Sequence, residues 1–255
     1  MSESILIERQ GRRATVSINR PPLNILDLST IAKLGGWFTE LGEDAELQLL
    51  VLRGSGGKAF SAGVAVEDHT PERVPGMLRE FHSTIRSLQD MPAVTLAVVE
   101  GHCLGGGMEL AAGCDLILAT DDSRFGQPEI KLGCYPPLAA ALYPSLLGSQ
   151  HTADLLLTGR TLSCREATEM GFVGRRVCRE ELTSTLEDLV DGITGQSLAV
   201  TRLTKRAIRL ARNLPYSEAL ARSEELYLEE LIQTEDMHEG LAAFMEKRQP
   251  EWKHR

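Results

Sequence analysis

Residues 101–110 read GHCLGGGMEL. Three consecutive glycines open an apolar helical stretch, and Glu109 falls in its first turn. A helix starting at Gly105-Gly106-Gly107 leaves its first backbone N–H groups unpaired and turns the positive end of its dipole outward. No Asp, Ser or Thr stands before it as a cap that would use those donors. Glycine also lets a second backbone or a ligand oxygen approach with no Cβ in the way. Two readings fit the run: tight helix–strand packing, or bare donors aimed at a negative oxygen. Glu109 bears on the choice. It stands among Leu104, Met108, Leu110, Ala111 and Ala112, where an unpaired carboxylate costs stability unless it is used. Its alternative role is a favourable interaction with the dipole of its own helix.

A second acid follows in SRFGQPEIKLG, residues 123–133, where Gly126 and Pro128 shape an irregular turn that presents Glu129. A helix over 106–113 carries the chain away by about 12 Å at about 1.5 Å per residue, and a strand over 115–120 returns it by about 20 Å at about 3.3 Å per residue. Residues near 125–130 are therefore expected level with the helix start, with two carboxylates beside it, an arrangement suited to proton transfer next to a developing oxyanion. Upstream, VLRGSGGKAFSAGVAVEDHT (51–70) runs a buried strand into a Gly-rich loop. GSGGK lacks the spacing and the Ser/Thr of a phosphate loop, whereas Ala62-Gly63-Val64 forms a small-residue bend able to point a backbone N–H at a ligand.

Outward from these stretches, two-sided apolar strands alternate with helices. Ile5–Ile7 and Thr15–Ile18 flank the turn signal Gln10-Gly11 as a hairpin, and strands are expected at 47–52, 93–99 and 116–119. Helical spacing covers 29–42, 76–89, 106–113, 138–147 and 151–157, and Ser163 with Glu166 makes a capping box. From about residue 180 the chain reads as charged helices at 180–194, 197–212, 217–234 and 236–247. The expectation is an α/β protein with a β/α core at 1–195 and a helical region at 196–255.

The 255 residues carry a net charge of -9, which disfavours polyanion binding: no nucleic-acid partner and no membrane partner are expected. Five cysteines form no CxxC pair, so neither a disulfide framework nor a metal site is expected, and a cytoplasmic location is. The N-terminal stretch alternates apolar and polar residues, and no apolar run approaches about 18 residues. Neither an export signal nor a membrane span is expected.

FSAG at 60–63, GHCLGGGMELAAGCDL at 101–116, FGQPEIKLG at 125–133, LLLTGRTLSCREATEMGFV at 155–173 and AFMEKRQPEW at 243–252, in this order, resemble the crotonase superfamily of enoyl-CoA hydratases and isomerases. That resemblance implies a crotonase-like spiral of ββα turns, with the C-terminal helices used for trimerisation into a homotrimer or hexamer. It implies an acyl-CoA substrate whose thioester oxygen sits between the backbone N–H groups of Val64 and Gly106, with Glu109 and Glu129 as the acid/base pair. Many isomerases of the family keep one acid; retention of both favours hydration, with Glu109 handling the water. Backbone atoms of Ala62 and Val66 would hold the adenine of CoA, and Phe244 and Lys247 would help close its site from a neighbouring subunit. No metal or redox cofactor is implied, and coenzyme A enters as part of the substrate.

Three segments narrow the likeness. PPLNIL (21–26), VEDHTP (66–71) and CYPPLAAALYPSLLG (134–148) are similar to the cyclohexa-1,5-diene-1-carbonyl-CoA hydratases of the superfamily. Pro136, Pro137 and Leu138 are the expected wall of an acyl pocket, stiff and apolar enough for a flat ring or a linear chain. Two positions depart from the common loop: Ala65 replaces an Asp, and Glu67 replaces a Lys, which bears on loop tethering and on a CoA phosphate contact. A straight-chain hydratase or isomerase, and a non-catalytic binding protein on the same fold, are the alternatives. His69, His82, His102 and His151 read as surface or packing residues, Cys103 and Cys114 as small apolar ones, and Asp115 as a turn residue. Lys205, Arg206, Arg209 and Arg212 read as a solvated helix face.

Overall fold

The computed structural model describes residues 3–212 and 214–255. Strands β1 (Ile5–Gln10) and β2 (Arg13–Ile18) pair antiparallel about Gly11, whose φ of +55° suits a glycine. On β2, Ala14, Val16 and Ile18 point inward and the residues between them lie nearer solvent, the period of two that a sheet imposes. Helix α1 (Leu28–Gly42) begins where the Asp27 carboxylate accepts the Thr30 N–H at 2.8 Å, and it buries Ile31, Leu34 and Phe38 along one stripe.

Three ββα units follow. β3 (Leu49–Gly54) continues into β4 (Ala59–Ser61), a single 3-10 turn at Val66–His69 and helix α2 (Val74–Asp90). β5 (Val94–Val99) continues into β6 (His102–Leu104) and α3 (Gly106–Ala112). β7 (Leu116–Thr120) continues into β8 (Arg124–Gly126), a 3-10 turn at Pro128–Leu132 and α4 (Pro137–Leu147). Each long strand extends a main sheet and each short one a second sheet, giving the spiral of ββα turns that the resemblance implies. Beyond them come α5 (Ser149–Thr158), β9 (Thr161–Ser163), α6 (Cys164–Glu169) and β10 (Arg175–Val177). Among the described residues the main sheet has the order β1-β2-β3-β5-β7-β10, parallel from β2 onward, and the second has β4-β6-β8-β9. The short strands are absent from the sequence reading; of the irregular turn expected around Gly126 and Pro128, Gly126 ends strand β8 and Pro128 opens the 3-10 turn.

Both faces of the main sheet are covered, so its strands read as continuous apolar runs. Leu50, Leu52, Ala97 and Val99 face the core beneath α1 to α3, while Leu49, Val51, Leu96 and Val98 face Leu182, Leu186 and Val190 of α7 (Leu182–Thr194). Helices α8 (Leu198–Ala211), α9 (Tyr216–Glu229) and α10 (Glu235–Glu246) complete the chain. The stretch expected as one helix over 217–234 stops at Glu229; a 3-10 turn follows, and Thr234 starts α10 by accepting the Met237 N–H at 3.2 Å. No helix among the described residues is long and apolar enough to cross a membrane.

The supposed solvated face of α8 is a correction. Lys205 is 6% exposed and lies 2.7 Å from Asp115 Oδ2, and Arg209 donates to Oδ1 of the same carboxylate at 2.8 Å. Asp115 also accepts the Thr95 N–H at 2.8 Å, so it joins α8 to the start of β5. Burial alone would raise its pKa; Lys205 and Arg209 outweigh that and hold the carboxyl below its ordinary value. Removing one partner of such a pair strands a buried charge. Asp115→Ala is expected to lower the unfolding free energy in urea by about 3 kcal/mol or more, whereas Arg206→Ala, which breaks an exposed pair with Glu230, should leave it nearly unchanged.

Candidate active site

Each glycine of the opening run is required by a different neighbour. Gly105 has φ +52° and ψ −130°, and a Cβ on it would lie 2.6 Å from Glu129 Oε1. A Cβ on Gly106 would lie 2.8 Å from Val64 Cγ2 and 3.4 Å from the Val64 nitrogen, and one on Gly107 would lie 2.4 Å from the Ser61 carbonyl oxygen. Tight packing and open donors, the two readings of the run, therefore coexist. Gly105 N–H donates to Gly126 O at 2.8 Å, which fixes the helix start level with the end of β8. Val64 sits in an isolated bridge to Leu26: Leu26 N–H donates to Gly63 O and Ala65 N–H to Leu26 O, both at 2.9 Å. Among the described residues, neither the Val64 N–H nor the Gly106 N–H has an acceptor.

Glu109 is 5% exposed. Its Oε1 accepts the Ala139 N–H at 2.9 Å, so this carboxylate serves the first turn of α4, which has no capping side chain of its own. Burial pushes its pKa up to about 8 against the pull of that N–H, and the charge of Glu129 adds to the rise. Glu129 lies on the 3-10 turn after β8, and burial pushes it up to about 7. Both carboxyls therefore hold their protons more tightly than an exposed glutamate does. Gln127 was given no role in the sequence reading. It is fully buried, and with Glu129 ionised only a nitrogen turned toward that carboxylate satisfies both ends: the amide then donates to the two carboxylate oxygens at 3.1 and 3.0 Å and accepts from the Tyr143 hydroxyl at 2.6 Å. The signal available was a lone amide beside Phe125 and Gly126, two residues before the acid.

A cavity of about 500 Å³ opens between these groups and α2. Ala62, Val64, Val66, Gly106, Glu109, Glu129, Pro136 and Pro137 all line it, and Met77, Leu78 and Phe81 give it an apolar wall. Leu138 does not line it; it packs against the main core from the first turn of α4. Phe244 and Lys247 also lie outside it, Phe244 on α10 with 84% of its surface exposed. His69 and His82, expected as surface or packing residues, line the cavity. His69 Nδ1 is 3.0 Å from Ala65 O, and burial together with Arg86 lowers the pKa of His82. The loop carrying Ala65 and Glu67 is tethered by buried Asp68, which accepts the Leu28 N–H at 3.1 Å and pairs with Arg73 at 3.2 Å. Among the described residues no group of three or more His, Cys, Asp or Glu side chains is arranged to hold a metal ion.

A family model described as enoyl-CoA hydratase/isomerase matches residues 8–255. A protein of Mycobacterium tuberculosis named "probable enoyl-CoA hydratase" is 35% identical over 256 residues, 99% of each chain. The cyclohexa-1,5-dienecarbonyl-CoA hydratase of Thauera aromatica is 35% identical over 253 residues, 98% of this chain and 96% of that one. Among solved structures, an enoyl-CoA hydratase from Bacillus anthracis superimposes with a TM-score of 0.94 at 29% identity, covering 99% of this chain and 100% of that one.

The raised pKa of Glu109 ties stability to pH. An acid that holds its proton more tightly when folded favours the fold while protonated, and this contribution is lost as pH rises from the unfolded value near about 4.3 through about 8. Glu109→Gln carries no such charge. Urea unfolding at pH 5 and pH 9 is expected to show the variant gaining stability relative to the parent by a few kcal/mol at the higher pH.

Proposed function

The chain belongs to the enoyl-CoA hydratase/isomerase family, and we propose that it is a hydratase that adds water to a conjugated CoA thioester, with a cyclic dienoyl thioester as its substrate. One observation carries this reading: two acids of raised proton affinity border the same apolar cavity as two main-chain N–H groups without acceptors. A thioester carbonyl directed at the Val64 and Gly106 N–H groups gains negative charge as water adds to the conjugated system. Fixed donors in a dry site stabilise that charge, and loss of one such donor costs about 2.7–4 kcal/mol of barrier.

Hydration needs one ionised carboxylate to take a proton from water and one protonated acid to give a proton to carbon. The base gains what the acid loses, so the pair ends the reaction with the same total charge. Family resemblance gives the water to Glu109 as base, which leaves Glu129 to deliver the proton to carbon; burial raises the proton affinity of both carboxyls. Presence of both acids favours hydration over isomerisation.

Pro136 and Pro137 supply the stiff apolar wall for a flat ring, and likeness to the Thauera aromatica enzyme supports the cyclic substrate. A straight-chain enoyl thioester is the second reading, since the Mycobacterium tuberculosis protein, of equal identity, is named as an enoyl-CoA hydratase with no ring specified. Main-chain atoms of Ala62 and Val66 would receive the adenine. Phe244 and Lys247 would act on the cavity of a neighbouring copy in a homotrimer or hexamer, for which exposed Tyr216, Leu228, Phe244 and Met245 on α9 and α10 are the support. Coenzyme A arrives with the substrate; no separate cofactor, nucleic acid or membrane is required, and the unpaired cysteines suit the cytoplasm.

Turnover of cyclohexa-1,5-diene-1-carbonyl-CoA is expected to exceed that of crotonyl-CoA in kcat/KM, and the reverse order would select the straight-chain reading. Glu109→Gln and Glu129→Gln should each bind CoA ligands and lose about 10²- to 10⁴-fold in kcat. Full activity in either variant rejects the acid/base assignment.

A further inference from the structure

We infer that Tyr143 is a positioning residue: from the second turn of α4 its hydroxyl orients Gln127, and Gln127 in turn holds the Glu129 carboxylate toward the cavity. This rests on reading Glu129 as one of the two reacting acids. Tyr143 and Gln127 are both fully buried, so neither finds water as an alternative partner. A buried primary amide can turn either its oxygen or its nitrogen toward a carboxylate, and only the nitrogen stabilises the ionised form. A phenol can accept as well as donate, but among the described residues the Tyr143 O–H has no acceptor other than Gln127; giving its proton to the Gln127 oxygen at 2.6 Å leaves the nitrogen facing Glu129 at 3.0 and 3.1 Å. Burial first, and then the Glu109 charge, raise the Tyr143 pKa, so the hydroxyl keeps the proton it gives.

The same helix holds the other acid. Ala139 N–H, one turn before Tyr143, donates to Glu109. α4 thus reaches both carboxylates, one through its backbone and the other through the Tyr143–Gln127 relay, so their separation is set by a rigid element. The remaining polar groups about Glu129 are Cys134, whose thiol donates to the Glu129 carbonyl at 3.4 Å, Lys131 on its own turn where α5 packs at Gly159, and His69 and His82 across the cavity. None of them touches the Gln127 amide. Phe172 packs edge-on against the Tyr143 ring at 5.9 Å between centroids, so a phenylalanine at 143 retains the ring contact and loses only the hydroxyl.

Tyr143→Phe tests the relay with two readouts. The first is the carboxyl titration of Glu129, followed by 13C NMR on glutamate-labelled protein and assigned by its loss in Glu129→Gln. Losing oriented donors to the ionised form should move its midpoint upward relative to the parent protein. The second is steady-state hydration, where kcat should fall about 10- to 100-fold with KM little changed. Tyr143→Phe added to Gln127→Leu should cost nothing beyond Gln127→Leu alone, since both act through one path. A lowered melting temperature with midpoint, kcat and KM all unmoved would overturn the inference and leave Tyr143 a purely structural residue. Absence of hydratase activity in the parent protein would reject the reaction and not the relay, because the titration reads the orientation of Glu129 without turnover.

Discussion

The start of α3 is the point at which the site is assembled, because three other parts of the chain come within van der Waals reach of residues 105–107. Glu129 closes on Gly105, the Val64 bend on Gly106 and the end of β4 on Gly107. Any side chain at these positions would push one of those partners away. The approach brings the two unpaired N–H groups and the second acid to one end of a seven-residue helix. Spacing between the parallel short strands does the rest: β4, β6 and β8 deliver the Val64 bend, the α3 start and the Glu129 turn side by side.

Buried charge is used in two opposite ways in the same molecule. At Asp115 the carboxylate is surrounded by Lys205, Arg209 and the Thr95 N–H, and it stays ionised despite burial. That cluster ties α8 to the main sheet. Among the described residues no cation pairs with Glu109 or Glu129, and what opposes burial is neutral: the Ala139 N–H at Glu109 and its own backbone N–H at Glu129. Desolvation therefore wins, and both acids hold protons near neutrality. The difference lies in the partners each backbone position can reach: α8 crosses the start of β5 with two cations, while α4 presents its N-terminus.

A helix N-terminus is also what makes an acid in an apolar wall tolerable. The α4 start lacks a capping side chain, so its Ala139 N–H would be an orphan without Glu109. Sequence placed Glu109 beside the dipole of its own helix, and the structure adds a hydrogen bond from the first turn of α4, so one carboxylate serves two helix starts.

Local chemistry in the sequence determined the hairpin about Gly11, the long strands with their two-sided apolar faces, the α1 stripe and the Ser163–Glu166 capping box, which forms as expected with Ser163 N–H donating to Glu166 at 2.8 Å. These depend on neighbours within a few residues. Order and spacing of the glycines and acids also brought Glu129 level with the start of α3, since helix and strand rise per residue are constants. Tertiary structure alone decided the second sheet, whose three-residue strands carry no periodicity of their own. It decided the burial of Lys205 and Arg209, whose partner Asp115 lies far away along the chain, and it brought His69 and His82 onto the cavity while leaving Leu138, Phe244 and Lys247 off it. The Tyr143–Gln127–Glu129 connection belongs to that second class for the same reason: a hydrogen bond between buried side chains exists only once packing has chosen which of them meet.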